Sequence, residues 1–220
     1  KGACFEVREE RVSQLPDNPN GRIDYGKRKL RNIWLAGGCF WGIQAFFDRI
    51  YGVAHTVAGY ANGQTEHPAY EDLHHSGHAE TVKVSYDPEK VDLETLLTYF
   101  FEVIDPLAVN RQGADIGTQY RSGIYYEDEN EKAVILDAVE KEQAKYGQSI
   151  ATETGPLRGF YPAEEYHQSY LDKNPGGYCH VDFSKLGTQG KKLYLKPTSQ
   201  QLRERLTPME YLVTQESYTE

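Results

Sequence analysis

Methionine occurs once in this chain of 220 residues, tryptophan twice and cysteine three times. Three thiols, Cys4, Cys39 and Cys179, make a poor disulfide framework, because an odd count leaves one over. So few cysteines fit a reducing compartment, and equally a protein whose few thiols do redox work. No apolar run approaches the ~20 residues that span a bilayer. Basic residues are the scarcer charge, 24 Lys and Arg against 33 Asp and Glu for a net −9, which argues against a nucleic-acid binder with its basic face. Neither a Gly-x-Gly-x-x-Gly nor a Walker-type loop is present, so no nucleotide site is indicated. Cys-x-x-Cys is absent too, and His74, His75, His78 and His180 match no zinc-finger spacing, so no metal site is expected.

What is present is patterned. Apolar residues make up 39% of the chain, enough for one domain with a core and an extension. Residues 1–31 are polar and read as a lead-in over the surface. Ile33 to Ala36 is a short apolar run stopped by Gly37-Gly38, which predicts a buried strand. Ile43, Phe46, Phe47 and Ile50 then fall at i, i+3, i+4 and i+7, the period of a helix starting at Phe40. Val53 to Tyr60 reads as a strand closed by Asn62-Gly63. Thr81 to Tyr86 alternates, with Val82, Val84 and Tyr86 on one face. Asp92 is the candidate cap of a helix whose stripe is Leu93, Leu96, Leu97, Phe100, Phe101 and Ile104. Further on, Tyr120–Tyr126 predicts a strand, Glu127–Tyr146 an exposed helix, Ile150–Thr154 a short strand and Ala163–Leu171 a last helix. With no regular βαβ repeat, the expected fold is α+β: a two-layer sandwich of helices on a mixed or antiparallel sheet, with extended N- and C-terminal arms. Residues 187–220 are polar and read as a linker or arm with a short helix over 199–206.

Cys39 stands at the strand-to-helix turn Gly37-Gly38-Cys39-Phe40-Trp41-Gly42. Free N–H groups and the dipole at a helix start favour an anion, so a lowered thiol pKa and a nucleophilic thiolate are expected there. Phe40 and Trp41 offer an apolar wall. A small buried core residue would account for the same position. Alternation puts Glu80 on the inward face of Val82 and Val84, where burial would raise its pKa and suit it to general-acid work; a solvated strand-end carboxylate is the plainer alternative. Tyr70 and Tyr120 can each donate an O–H to a polarised oxygen, or simply serve as amphipathic core tyrosines. Asp115 lies in a loop between Gly113 and Gly117, either lining a site or forming a turn. Cys179 follows Asn174-Pro175-Gly176-Gly177-Tyr178, a glycine-rich segment that fits a resolving thiol or an incidental one.

Taken in order, Gly38-Cys39-Phe40-Trp41-Gly42, Ala58-Gly59-Tyr60, Pro68-Ala69-Tyr70, Gly77-His78-Ala79-Glu80, Gly117-Thr118-Gln119-Tyr120-Arg121-Ser122, Tyr166-His167-Gln168 and Asn174 to Cys179 resemble the peptide methionine sulfoxide reductase A family over residues 32–186. That resemblance implies a catalytic domain over 32–186 that reduces the S epimer of methionine sulfoxide, free or in proteins, without a cofactor. It makes Cys39 the nucleophile, Glu80 the acid, Tyr70 and Tyr120 further donors, and Phe40 and Trp41 the holders of the substrate methyl. Asp115 would help bind substrate. It implies that Cys39 becomes a sulfenic acid, that Cys179 closes a Cys39–Cys179 disulfide, and that thioredoxin reduces it. The tail after Lys196 is similar to the linker to a methionine sulfoxide reductase B domain in bacterial fusion proteins, so a fused B domain is a further expected partner. Such fusions are cytoplasmic or exported to the bacterial envelope, which leaves the compartment open. Two other classes would use parts of the same set: a module that binds oxidised methionine without reducing it, and another thiol enzyme such as a peroxidase or acyl transferase.

Overall fold

The computed structural model describes residues 15–186. Cys4, the segment 187–220 and the helix expected over 199–206 lie outside the described residues.

A six-stranded sheet carries the fold, in the order β7-β6-β1-β3-β2-β8. Its strands are β1 (Arg31–Gly37), β2 (Val53–Ala61), β3 (Ala79–Tyr86), β6 (Ser122–Tyr126), β7 (Glu153–Pro156) and β8 (Phe160–Pro162). A separate hairpin pairs β4 (Arg111–Gln112) with β5 (Asp115–Ile116). All pairings are antiparallel except β6 with β7, which are joined through α4 (Lys132–Gln143). The remaining helices are α1 (Phe40–Phe47), α2 (Leu73–Ser76), α3 (Leu93–Val103) and α5 (Tyr170–Lys173). The architecture is the α+β arrangement that the alternation and helical periods predict. Among the described residues no helix is long and apolar enough to cross a membrane.

Strand alternation sorts the sheet into two faces. Ile33, Leu35, Val82, Val84, Tyr60 and Ile124 point to the main core, with Phe40, Ile43, Phe46 and Phe47 of α1 and Leu96, Leu97 and Phe100 of α3. Trp34, Ala36, Ala61, Ala79 and Tyr125 form a smaller cluster on the reverse face, beneath Leu157 and Phe160. Burial of α1 on nearly every side explains why its apolar stripe is so broad. Asp92 caps α3 as expected, its side chain accepting from the Thr95 N–H at 2.7 Å. Upstream, the Asn20 side chain donates to the carbonyls of Asp48 and Ile50 and accepts from the Gly52 N–H, pinning the lead-in to the turn after α1.

Four expected elements are displaced, each for a visible reason. The residues expected as a helix over Ala163–Leu171 instead form a 3-10 turn, Glu165–His167, followed by the short α5. The Gln168 side chain replaces a strand partner: its amide accepts from the Ala58 N–H and donates to the carbonyls of Ala58 and Ala163. The strand expected at Ile150–Thr154 begins only at Glu153, because the Ile150 and Ala151 amides are taken by the Gln143 side chain and the Pro106 carbonyl. Tyr120 closes a 3-10 turn (Thr118–Tyr120) rather than opening a strand, and β6 starts at Ser122. The helix expected from Glu127 starts at Lys132, after a 3-10 turn that Asp128 caps.

Candidate active site

β1 delivers the chain to the site and α1 carries it away. At Gly38 the backbone turns with φ +85, and a side chain there would lie 2.5 Å from Gln112 Cβ. Glycine is therefore required both for its left-handed backbone and for space. Cys39 follows as the residue capping α1, with only 8% of its surface exposed.

Glu80 reaches the same point from β3. It pairs with Tyr60 in register, and its side chain faces α1, where Oε2 accepts the Phe40 N–H at 3.0 Å. At 2% exposure, burial pushes this carboxyl up to about 8, Asp115 adds to the rise, and the Phe40 N–H opposes it. Glu80 is thus a buried acid that keeps its proton at neutral pH, as alternation along β3 predicts.

The expectation of a low thiol pKa at Cys39 is overturned. Burial comes first and the Glu80 carboxylate second in pushing the Cys39 thiol far up; the Trp41 N–H pulls the other way. The reason is local: Glu80, not the sulfur, takes the first free N–H of α1. The helix start does favour an anion, but a carboxyl is already lodged there.

Tyr70 enters from the 3-10 turn Tyr70–Asp72 and Tyr120 from the turn before β6. Their hydroxyls lie close enough for each to affect the other's ionisation. Burial, and then the charge of Glu80, raise both, so both stay neutral O–H donors beside Cys39 and Glu80. Asp115 on β5 is also brought in: its charge is felt by Cys39, Glu80 and Cys179.

Phe40 and Trp41 differ in position. Phe40 is 1% exposed and packs on Tyr60 and His167, so it forms the floor from within the core. Trp41 is half-buried and stacks flat on Tyr170, with ring centroids 3.7 Å apart and 14° between planes. Its indole N–H donates to His167 Nδ1 at 3.0 Å. The two rings and His167 make an apolar cluster at the start of α1.

Several supporting residues escape single-residue reading. Glu164 accepts the Tyr60 hydroxyl at 2.6 Å and the Tyr70 N–H at 3.4 Å. Burial works against its ionisation, but these hydrogen bonds hold its carboxyl below the usual range. Two carboxyls within one site are thereby split, Glu80 neutral and Glu164 charged, the arrangement that separates acid from anion. His167 and Tyr170 complete the aromatic cluster around Trp41; the run Tyr166-His167-Gln168 marks the first in advance, and no motif marks the second.

Cys179 is a free thiol, as is Cys39, and the two are close enough to interact electrostatically. The sulfur sits on α1: a side chain at Gly42 would lie 2.9 Å from Cys179 Sγ and 2.8 Å from Val181. Only a glycine lets this segment approach the helix.

Comparison with known proteins agrees with this geometry. The model of the family described as "Peptide methionine sulfoxide reductase" matches residues 31–197. Among solved structures, reduced Mxr1 from Saccharomyces cerevisiae is 36% identical with a TM-score of 0.67, covering 76% of this chain and 98% of that one. Methionine sulfoxide reductase A of Corynebacterium diphtheriae is 33% identical with a TM-score of 0.63, covering 79% of this chain and 92% of that one. Mxr1 in an unusual oxidized form is 39% identical with a TM-score of 0.53, covering 69% and 85%. A sulfur at a helix start, a buried acid touching the same turn and an aromatic floor beside them thus have a common explanation: this chain belongs to the peptide methionine sulfoxide reductase family.

Proposed function

We propose that this reductase takes the S epimer of methionine sulfoxide, free or in proteins, with Cys39 as nucleophile and Glu80 as general acid. The observation that carries this is the buried Glu80 carboxyl, neutral at pH 7, on the helix turn that bears the thiol. A sulfoxide sulfur is a poor electrophile until its oxygen is protonated. Glu80 supplies that proton, Tyr70 and Tyr120 donate to the same oxygen, and Trp41 with Phe40 holds the methyl. Asp115 lies in the segment that helps bind substrate or reductant. Protonation makes the sulfur cationic, which lowers the pKa of the neighbouring thiol and draws out the thiolate that burial suppresses. The protonated oxygen passes to Cys39 as the hydroxyl of a sulfenic acid, methionine leaves, and the thiol proton returns Glu80 to its neutral form. Cys179 then attacks the Cys39 sulfur, a disulfide forms and water departs. Thioredoxin reduces the disulfide in turn.

The direct test is diastereomer-resolved turnover. With dithiothreitol, purified protein should consume the S epimer of a methionine sulfoxide substrate and leave the R epimer; no turnover by folded protein sinks the reading. For the recycling step, Cys179→Ser should release about one methionine per chain and then stall with thioredoxin, while dithiothreitol keeps it cycling. Normal cycling with thioredoxin would remove Cys179 from the resolving role. A fused methionine sulfoxide reductase B domain remains a reading of the tail sequence, tested by sequencing the gene past residue 220.

A further inference from the structure

His180 follows Cys179 directly, and its imidazole is 7% exposed. Nε2 lies 3.0 Å from the Gly37 carbonyl, the backbone two residues before Cys39. Burial lowers the pKa of this histidine, so the ring is neutral and Nε2 carries the proton that the carbonyl accepts. The ring edge abuts Gly38, where a side chain would lie 3.2 Å from His180 Cε1. Neighbouring residues fix the same segment from the other side. Val181 is 8% exposed in the main core, and its N–H donates to Cys179 Sγ at 3.4 Å. Tyr178 lies close enough to Asp115 for that carboxylate to raise its pKa after burial. The segment therefore straddles the nucleophile, tied to Gly37 before it and packed on Gly42 after it.

One side of this dock is incomplete. His180 Nδ1 and Asp115 Oδ2 are both buried and have no hydrogen-bond partner among the described residues, and they face each other at 3.9 Å. Two acceptors in that relation repel. A segment fixed for good would complete this pair. A segment that must later lift away to admit a reductant is well served by leaving it open.

We infer that His180 is a positioning residue for the recycling step: its hydrogen bond to the Gly37 carbonyl latches the Cys179 thiol beside Cys39, and the unmatched Asp115 side keeps that latch releasable. The inference rests on Cys179 being the resolving thiol. The step it serves is attack of the Cys179 sulfur on the Cys39 sulfenic sulfur. The S–S bond forms, the S–O bond breaks, and the Cys179 proton leaves with the hydroxyl as water. His180 itself touches no reacting atom.

The test separates two clocks on the protein mixed with methionine sulfoxide and no reductant. One is methionine release; the other is loss of the Cys179 thiol, read by alkylation and mass spectrometry after quenching. His180→Ala should release its first methionine at the wild-type rate and close the disulfide about tenfold to a hundredfold more slowly. His180→Gln, whose amide nitrogen stands where Nε2 stands, should recover most of that loss. Wild-type disulfide closure in the alanine variant overturns the latch. So does a parallel fall in methionine release, or a glutamine variant as slow as alanine. Failure of the underlying reading looks different: wild-type protein would then release methionine while its Cys179 thiol stayed free.

Discussion

Cys39→Ser should bring methionine formation down to background, a loss of about 10⁴-fold or more, in a protein that melts as the wild type does. Serine fits the space, since Cys39 is 8% exposed at an unstrained helix cap. Its chemistry fails twice. An alkoxide is far harder to form than a thiolate, in a pocket that already disfavours the thiolate. Oxygen transfer to a hydroxyl would also demand a hydroperoxide, whereas transfer to sulfur gives a sulfenic acid. Chromatographic product analysis with dithiothreitol checks this directly. Activity within a hundredfold of wild type would show that Cys179 or Cys4 can attack instead.

Glu80→Gln should cost about 10²- to 10⁴-fold in the rate of methionine release while leaving substrate affinity nearly unchanged. Glutamine keeps the size of the side chain, and its carbonyl can still accept the Phe40 N–H, but it has no proton to give. The pH profile gives the sharper signature. Glu80 is held up to about 8, so in the wild type the acid is intact through neutral pH and is lost as pH rises through that value. The variant should lack that falling limb. Linkage gives a second reading of the same shift: the folded carboxyl binds its proton more tightly than the unfolded one, with its ordinary value of 4.5. Wild-type stability relative to Glu80→Gln should therefore fall as pH rises from 4.5 to about 8 and level off beyond. Stabilities that track each other over that range would show that Glu80 ionises normally.

The parts of this site that could be read in advance are those set by local pattern. Alternation along β3 placed Glu80 inward with Val82 and Val84, and a helical period beginning at Phe40 put Cys39 at a helix start. The thiol pKa was misjudged because the occupant of that helix start comes from a strand forty residues later, where no local rule reaches. Similarly, Ala163–Leu171 has helical spacing, yet Gln168 makes its hydrogen bonds to Ala58, 110 residues away. Glu164, and the placement of His180 against Gly37, become visible only when the chain closes. Long-range hydrogen bonds by single polar side chains are what one-dimensional periodicity cannot carry.

The bare Gly42 face of α1 also bears on how long one enzyme molecule lasts. An enzyme that works where oxidants are present makes a sulfenic acid in every cycle, and a second oxidation would carry that sulfur to a sulfinic acid, outside the reach of ordinary thiols. A thiol docked on the same helix meets the sulfenic sulfur at an effective concentration far above that of any diffusing peroxide. On the recycling role proposed for Cys179, the missing methyl at residue 42 therefore guards against self-inactivation as well as speeding recovery.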